Sequence, residues 1–160
     1  MTKIPITKAG FQKIKKELDH LKSVAIPENI KDIEAARAHG DLSENAEYTA
    51  AKERQTFLQS RIQELESSLA LLDIIDVSNI KTDRVVFGTS VVITDLNTGE
   101  DITYKLVGPL ESDIGNNLLS VTSPIGKALI GHRVGDEIQV KTPGGLREFQ
   151  IVRIFIENGD

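Results

Sequence analysis

Between Tyr48 and Leu72 the chain sets Tyr48, Ala51, Gln55, Leu58, Ile62, Leu65, Leu69 and Leu72 at alternating steps of three and four residues. Such a row lies on one face of an α-helix, and its apolar members stay out of water only if a second helix covers them with a matching row. Only Gln55 breaks the apolar character. The matching row lies upstream, at Phe11, Ile14, Leu18, Leu21 and Ala25, with the same alternation. Thr7 stands just before it and suits an N-cap, because its hydroxyl can accept from a first-turn N–H. Pro27 has no N–H to give, which predicts a kink or a restart, with Ile30 and Ile33 carrying the row onward. Between the two rows runs a short polar segment, His39-Gly40-Asp41-Leu42-Ser43, so the helices are expected to fold back as an antiparallel coiled-coil hairpin. Arms of about 30 residues each would be about 45 Å long. The rest of the chain is too small to cover that length, so the hairpin should project.

After Ile75 the period changes. Val85–Phe87, Val91–Thr94, Ile102–Val107, Leu118–Val121, Ile138–Val140 and Phe149–Phe155 are short β-branched or apolar runs, separated by turn-forming residues. Thr142-Pro143-Gly144-Gly145 should close a hairpin between the last two. Ser123 to Ile130 reads as one short helix, with Pro124 at its first position and Gly131 just past its end. The fold class is therefore α+β: a helical hairpin over residues 1–76, then a sheet domain with a short helix over residues 77–160. Asp73–Arg84 is the expected linker.

Composition removes several function classes. The chain has no Cys, which excludes a disulfide framework, a thiolate metal site and a cysteine nucleophile. His20, His39 and His132 are isolated, without zinc-ligand spacing. Acids outnumber bases 24 to 19, net −5, against the basic surface of a general nucleic-acid coat. No apolar stretch approaches a membrane span or a signal peptide, so a cytoplasmic protein without membrane contact is expected.

The densest constellation of chemistry is the expected hairpin tip, Arg37-Ala38-His39-Gly40-Asp41-Leu42-Ser43-Glu44-Asn45-Ala46-Glu47-Tyr48. Asp41, Glu44 and Glu47 recur every third residue and would share a face at a helix start. Two readings compete. In the first, Asp41 and Glu44 form an approximate capping box and suit the positive end of the helix dipole. In the second, they are half of a metal site. Mg²⁺ takes six oxygen ligands, often one or two carboxylates with phosphate and water, so an exposed acidic tip would be completed only inside a partner that supplies the remainder.

The tip AARAHGDLSENAEYTAAKER resembles the hallmark of the bacterial transcript cleavage factors of the Gre family. The likeness runs the whole chain, through IPITKAGFQKIKKELDHLKS, IIDVSNI, LLSVTSPIGKALIGHRVGD and KTPGGLREFQIVRI. Its acidic balance and GDLSENAEY tip are closer to the GreA branch than to the more basic GreB branch. The resemblance implies a transcription elongation factor that binds bacterial RNA polymerase at the rim of its secondary channel and inserts the coiled coil toward the active site. There Asp41 and Glu44 would help hold a second Mg²⁺, shared with the polymerase, and orient water for cleavage of backtracked nascent RNA near its 3′ end. The polymerase would perform the hydrolysis and release short fragments. The factor would be no enzyme, carry no cofactor of its own, and act as a monomer when bound. The sheet domain is implied to be FKBP-like, although the absence of Trp and only 4% aromatic residues argue against prolyl isomerase chemistry.

By the same resemblance, Arg37, Lys52 and Arg54 would contact the extruded RNA; a solvated helical face with i,i+4 ion pairs is the competing account. Tyr48 could stack on a base, but its place in the row favours the hairpin core. Ser123 and Pro124 fit a polymerase-docking loop as well as a plain helix cap, and the two roles are compatible. Two alternatives to the cleavage factor are a channel-inserting inhibitor and a coiled-coil adaptor in which the tip acids only cap a helix.

Overall fold

The computed structural model describes residues 3–40 and 45–157. The chain divides into two compact units. One comprises Gln12–Leu71; the other joins the chain up to Phe11 with the chain from Leu72 onward.

In the first unit the expected hairpin is present. Helix α1 (Lys8–His20) enters it from the other unit, and a π-helical turn over Leu21–Ala25 leads directly into α2 (Ile26–Arg37). Helix α3 (Ala46–Leu69) returns antiparallel, as the cross-links from Arg61 to Glu17, Asn29 to Ala51 and Asn45 to Ala36 require. Every described member of the α3 row within the helix is buried or half-buried, with Ala51, Leu58 and Leu65 fully inside.

The first arm corrects the sequence reading in one respect. Ile30 is 44% exposed, and the seam passes through Asn29 at 1% instead. The buried positions run Ile14, Leu18, Leu21, Ala25, Asn29, Ile33 and Ala36, one residue more than a strict heptad allows. The π turn supplies the explanation: a wider turn takes up one extra residue and keeps the seam facing its partner. It also lies just ahead of Pro27, whose ring conflicts with the carbonyl four residues back. Helical backbone therefore runs on past the proline without a break. Asn29 Nδ2 donates to the Ala51 carbonyl at 3.0 Å, a single polar tie that fixes the register of the two arms. Arg61 adds a forked pair with Glu17 at 2.9 and 3.1 Å. That bond is the main reason the guanidinium is held charged above its ordinary range. The second arm, at 24 residues, is about 36 Å long and shorter than expected.

The second unit holds two sheets. Strands β1 (Ile4–Ile6) and β2 (Leu72–Ile74) pair in parallel, Ile4 opposite Leu72 and Ile6 opposite Ile74. Part of the expected linker is thus sheet, and only the chain after Ile74 is irregular. The larger sheet contains β3 (Ser90–Asp95), β4 (Asp101–Val107), β5 (Leu118–Ser120), β6 (Glu137–Thr142) and β7 (Gly145–Phe155), in the order β5-β4-β3-β7-β6. All neighbours are antiparallel except β4 and β5. Pro143 and Gly144 close the β6–β7 hairpin, with Gly145 at φ 117°. The pairing of β3 with β7 steps from Val92–Arg153 to Ile93–Ile151, leaving Val152 as a bulge.

Val85–Phe87 is not a strand. Val85 is fully buried, but its N–H and carbonyl bond to the His132 carbonyl and the Gly131 N–H, and Gly88 turns the chain at φ 89°. The run is apolar because it lies over the core, not because it extends a sheet. That core is Val91, Ile93, Leu106, Leu119, Leu129, Ile138, Val140, Phe149, Ile151 and Ile154, with Val85. Helix α4 (Pro124–Leu129) begins as expected: Ser123 Oγ accepts from the Gly126 N–H at 3.1 Å, and Pro124 occupies the first turn.

Candidate functional site

The chain connecting α2 to α3 contains the residues singled out from the sequence. Asp41 and Glu44 lie outside the described residues. Their surroundings bear directly on the two readings. Helix α3 is capped by Asn45, whose Oδ1 accepts from the Tyr48 N–H at 3.1 Å. Asn45 Nδ2 also donates to the Ala36 carbonyl at 2.7 Å, tying the start of one helix to the end of the other. The cap position expected for Asp41 is therefore held by Asn45, four residues later. One side-chain amide thus serves both helices, satisfying an N–H at the start of α3 and a carbonyl at the end of α2.

Around that connection, the described polar side chains are on the surface. Arg37 is the last residue of α2 and is exposed. Glu47 lies in the first turn of α3, where a carboxylate suits the helix dipole, and its Oε2 is 3.7 Å from His39 Nδ1. Tyr48 is half-buried, which agrees with its place in the row.

Lys52 and Arg54 do not share a surface. Lys52 donates to Gln55 Oε1 at 2.9 Å and lines a shallow hollow of about 330 Å³ with Tyr48, Thr49, Glu53 and Thr56. Arg54 lines a separate hollow of about 410 Å³ with Asp32, Ala35, Glu47 and Ala50. Tyr48 and Lys52 thus line one hollow, with Glu53, and Arg54 lines another, with Asp32 and Glu47. Among the described residues, no cluster of acids and histidines could hold a metal ion. As hard oxygen donors, Asp41 and Glu44 are the right kind of ligand for Mg²⁺, yet two are too few to fill its shell.

In the sheet-bearing unit, Ser123 and Pro124 form the cap of α4, so the structural role of that loop is direct. A cavity of about 420 Å³ lies nearby, lined by Pro5, Ile75, Val86, Phe87, Val121, Lys127 and Ile130. Sequence reasoning missed this lining, because its residues come from separated stretches and no spacing within any one of them signals a cavity. It also missed Glu111, whose carboxylate receives the Thr7 N–H at 3.2 Å, the Gly108 N–H at 2.9 Å and the Thr7 hydroxyl. No local signal marks a partner 104 residues away.

The family model described as "Transcription elongation factor, N-terminal" matches residues 4–74, and the one described as "Transcription elongation factor, GreA/GreB, C-term" matches residues 80–155. The chain belongs to the GreA/GreB family of transcription elongation factors. It is 62% identical over 156 residues to transcription elongation factor GreA of Syntrophus aciditrophicus, covering 98% of this chain and 97% of the relative. Its identity to the GreA of Pelobacter propionicus is 51% over 154 residues, covering 96% and 98%. The solved GreA factor homolog 1 of Thermus thermophilus shares 30% identity over 95% of this chain and 98% of that one, at a TM-score of 0.44. The α+β class inferred from residue periodicity agrees with this membership: a helical N-terminal region, then a mixed sheet with a short helix. No helix among the described residues is long and apolar enough to cross a membrane.

Proposed function

We propose that this GreA/GreB family chain binds bacterial RNA polymerase, enters its secondary channel with the helical hairpin, and stimulates the polymerase's own cleavage of backtracked nascent RNA. The observation that carries the reading is the cap. Asn45 stands at the N-cap of α3 and accepts from the Tyr48 N–H, so this reading gives the cap to Asn45 and the chemistry to Asp41 and Glu44.

In this reading Asp41 and Glu44 offer carboxylate oxygens to a divalent cation shared with the polymerase. Bound Mg²⁺ would polarise a phosphoryl oxygen and lower the pKa of a coordinated water. The chain's own residues position and neutralise. Lys52 beside Tyr48 presents a cation and an aromatic ring to extruded RNA, and Arg37 adds a second cation at the end of α2. Arg54, which lines a different hollow from Lys52, has a weaker claim on RNA. Pro124, exposed beside the half-buried capping Ser123, supplies an edge for docking. In this reading the factor is an accessory to the polymerase and not an autonomous nuclease.

The test uses a stalled, backtracked complex of bacterial RNA polymerase. Asp41→Ala and Glu44→Ala should each abolish stimulated RNA shortening while pull-down with polymerase persists. Full shortening in either variant overturns the assignment of these carboxylates.

A further inference from the structure

Capping alone does not call for asparagine at position 45. A helix start needs only an acceptor oxygen from its N-cap, and Asp or Ser supplies one about as well as Asn. Asn45 meets that need with Oδ1, which takes the Tyr48 N–H at 3.1 Å. Its second bond, from Nδ2 to the Ala36 carbonyl at 2.7 Å, demands a donor on a separate atom, aimed at the other helix. A carboxylate has no such donor, and a serine hydroxyl sits one bond closer to the backbone. The amide carries an acceptor and a donor side by side at the length required.

Both bonds lie inside the hairpin unit, which runs from Gln12 to Leu71. The carbonyl that Asn45 reaches is also the one that closes the turn ending α2, where it accepts from the His39 N–H at 3.2 Å. Ala36 itself is 2% exposed, so the bond is made at the seam and not out in solvent. On the α3 side, the Asn45 carbonyl accepts from the Thr49 N–H at 3.1 Å and the Thr49 hydroxyl at 3.3 Å. The cross-link thus joins two points that are each held by their own helix. The connection that carries Arg37, Asp41 and Glu44 starts at one of them and ends at the other.

We propose that Asn45 is a positioning residue for the cleavage reaction: its cross-link holds together the two ends of the carboxylate-bearing connection and so limits where Asp41 and Glu44 are presented. The inference rests on the proposed function above. Joining the ends of a short connection narrows the positions open to its middle. Groups that must meet a metal shared with another protein gain rate from that narrowing, because a displacement of about 1 Å can cost about a hundredfold.

The experiment separates positioning from capping and from stability. Shortening of backtracked RNA by polymerase is measured over a range of factor concentrations, giving a maximal rate and a half-saturating concentration, beside the urea midpoint of each variant. Asn45→Ser and Asn45→Asp keep a cap acceptor and lose the donor to Ala36, one without added charge and one with it. Each should lower the maximal rate about tenfold, with the half-saturating concentration within about twofold of the wild-type chain. Ile62→Val trims the half-buried seam well down α3 from the cap and is the stability control. It should lower the urea midpoint and leave the maximal rate unchanged. A wild-type maximal rate in either donor-less variant overturns the proposal. So does an equal loss of rate in Ile62→Val, because cleavage would then follow stability. A half-saturating concentration raised about tenfold at an unchanged maximal rate overturns it too, by making Asn45 a docking residue. A wild-type chain that stimulates no cleavage refutes the proposed function and takes the positioning role with it, a result distinct from full cleavage in Asn45→Ser.

Discussion

Asn45 makes two bonds that can be removed separately. Asn45→Ala deletes the acceptor for the Tyr48 N–H, worth about 1 kcal/mol at an N-cap. It also deletes the 2.7 Å bond from Nδ2 to the Ala36 carbonyl. That loss should cost about 0.5–1 kcal/mol, at the low end because the His39 N–H still reaches the same carbonyl at 3.2 Å. The total is about 1.5–2 kcal/mol. With a urea slope of about 2 kcal/mol/M, the midpoint followed by helical circular dichroism should fall by about 0.75–1 M. Asn45→Asp keeps the acceptor and loses the donor, so it should show about a third to a half of that shift. Asp41→Ala and Glu44→Ala should each stay within about 0.5 kcal/mol of wild type, roughly 0.25 M. If Asp41→Ala lowers the midpoint as far as Asn45→Ala does, Asp41 is bracing the helix, and the assignment of its carboxylate to chemistry fails.

Two further outcomes concern the sheet-bearing unit. Asp95 accepts from Arg147 Nη2 at 3.0 Å and from the Asn97 N–H at 2.8 Å, and these bonds, the arginine's first, hold its carboxyl below the ordinary carboxylate range. A depressed folded-state value stabilises fully above the unfolded value of about 3.9 and is lost as pH falls below it, so Asp95→Asn should flatten the loss of urea resistance in that acid window; an unchanged acid limb refutes the pairing. A Cβ on Gly126 would overlap the Ser120 carbonyl oxygen, so Gly126→Ala should cost about 1–3 kcal/mol by overpacking, read as a lower urea midpoint, and a neutral result would mean that α4 can slide.

The parts of the fold legible in the sequence are those where burial sets a period. The row from Tyr48 to Leu69 was readable because one helix face excludes water along its length, and Pro143-Gly144 because a tight turn restricts its residues. Asn29 was not readable, since a polar side chain in a seam looks like a break in it; only its bond to Ala51 shows why it belongs there. Val85–Phe87 misled because burial alone produces an apolar run, whether or not the backbone extends. The pairing of Ile4–Ile6 with Leu72–Ile74 joins three-residue segments across the entire hairpin, too short to have a period of their own. At the candidate site, residue types and spacing pointed to Asp41 and Glu44, but the division of Lys52 from Arg54 depends on helix azimuth, which a motif does not express.

The azimuth of Arg37, by contrast, has its cause in the first arm. Each residue added to an α-helix turns everything beyond it by about 100° about the axis. The π turn at Leu21–Ala25 absorbs one residue, so the inward face of α2 stays inward while its sequence is displaced by one position relative to α1. Arg37, twelve residues past the end of that turn, consequently points where it does because of a wide turn most of the arm's length away. A one-residue deletion there would spare Arg37 itself and still swing its guanidinium to another side of the hairpin.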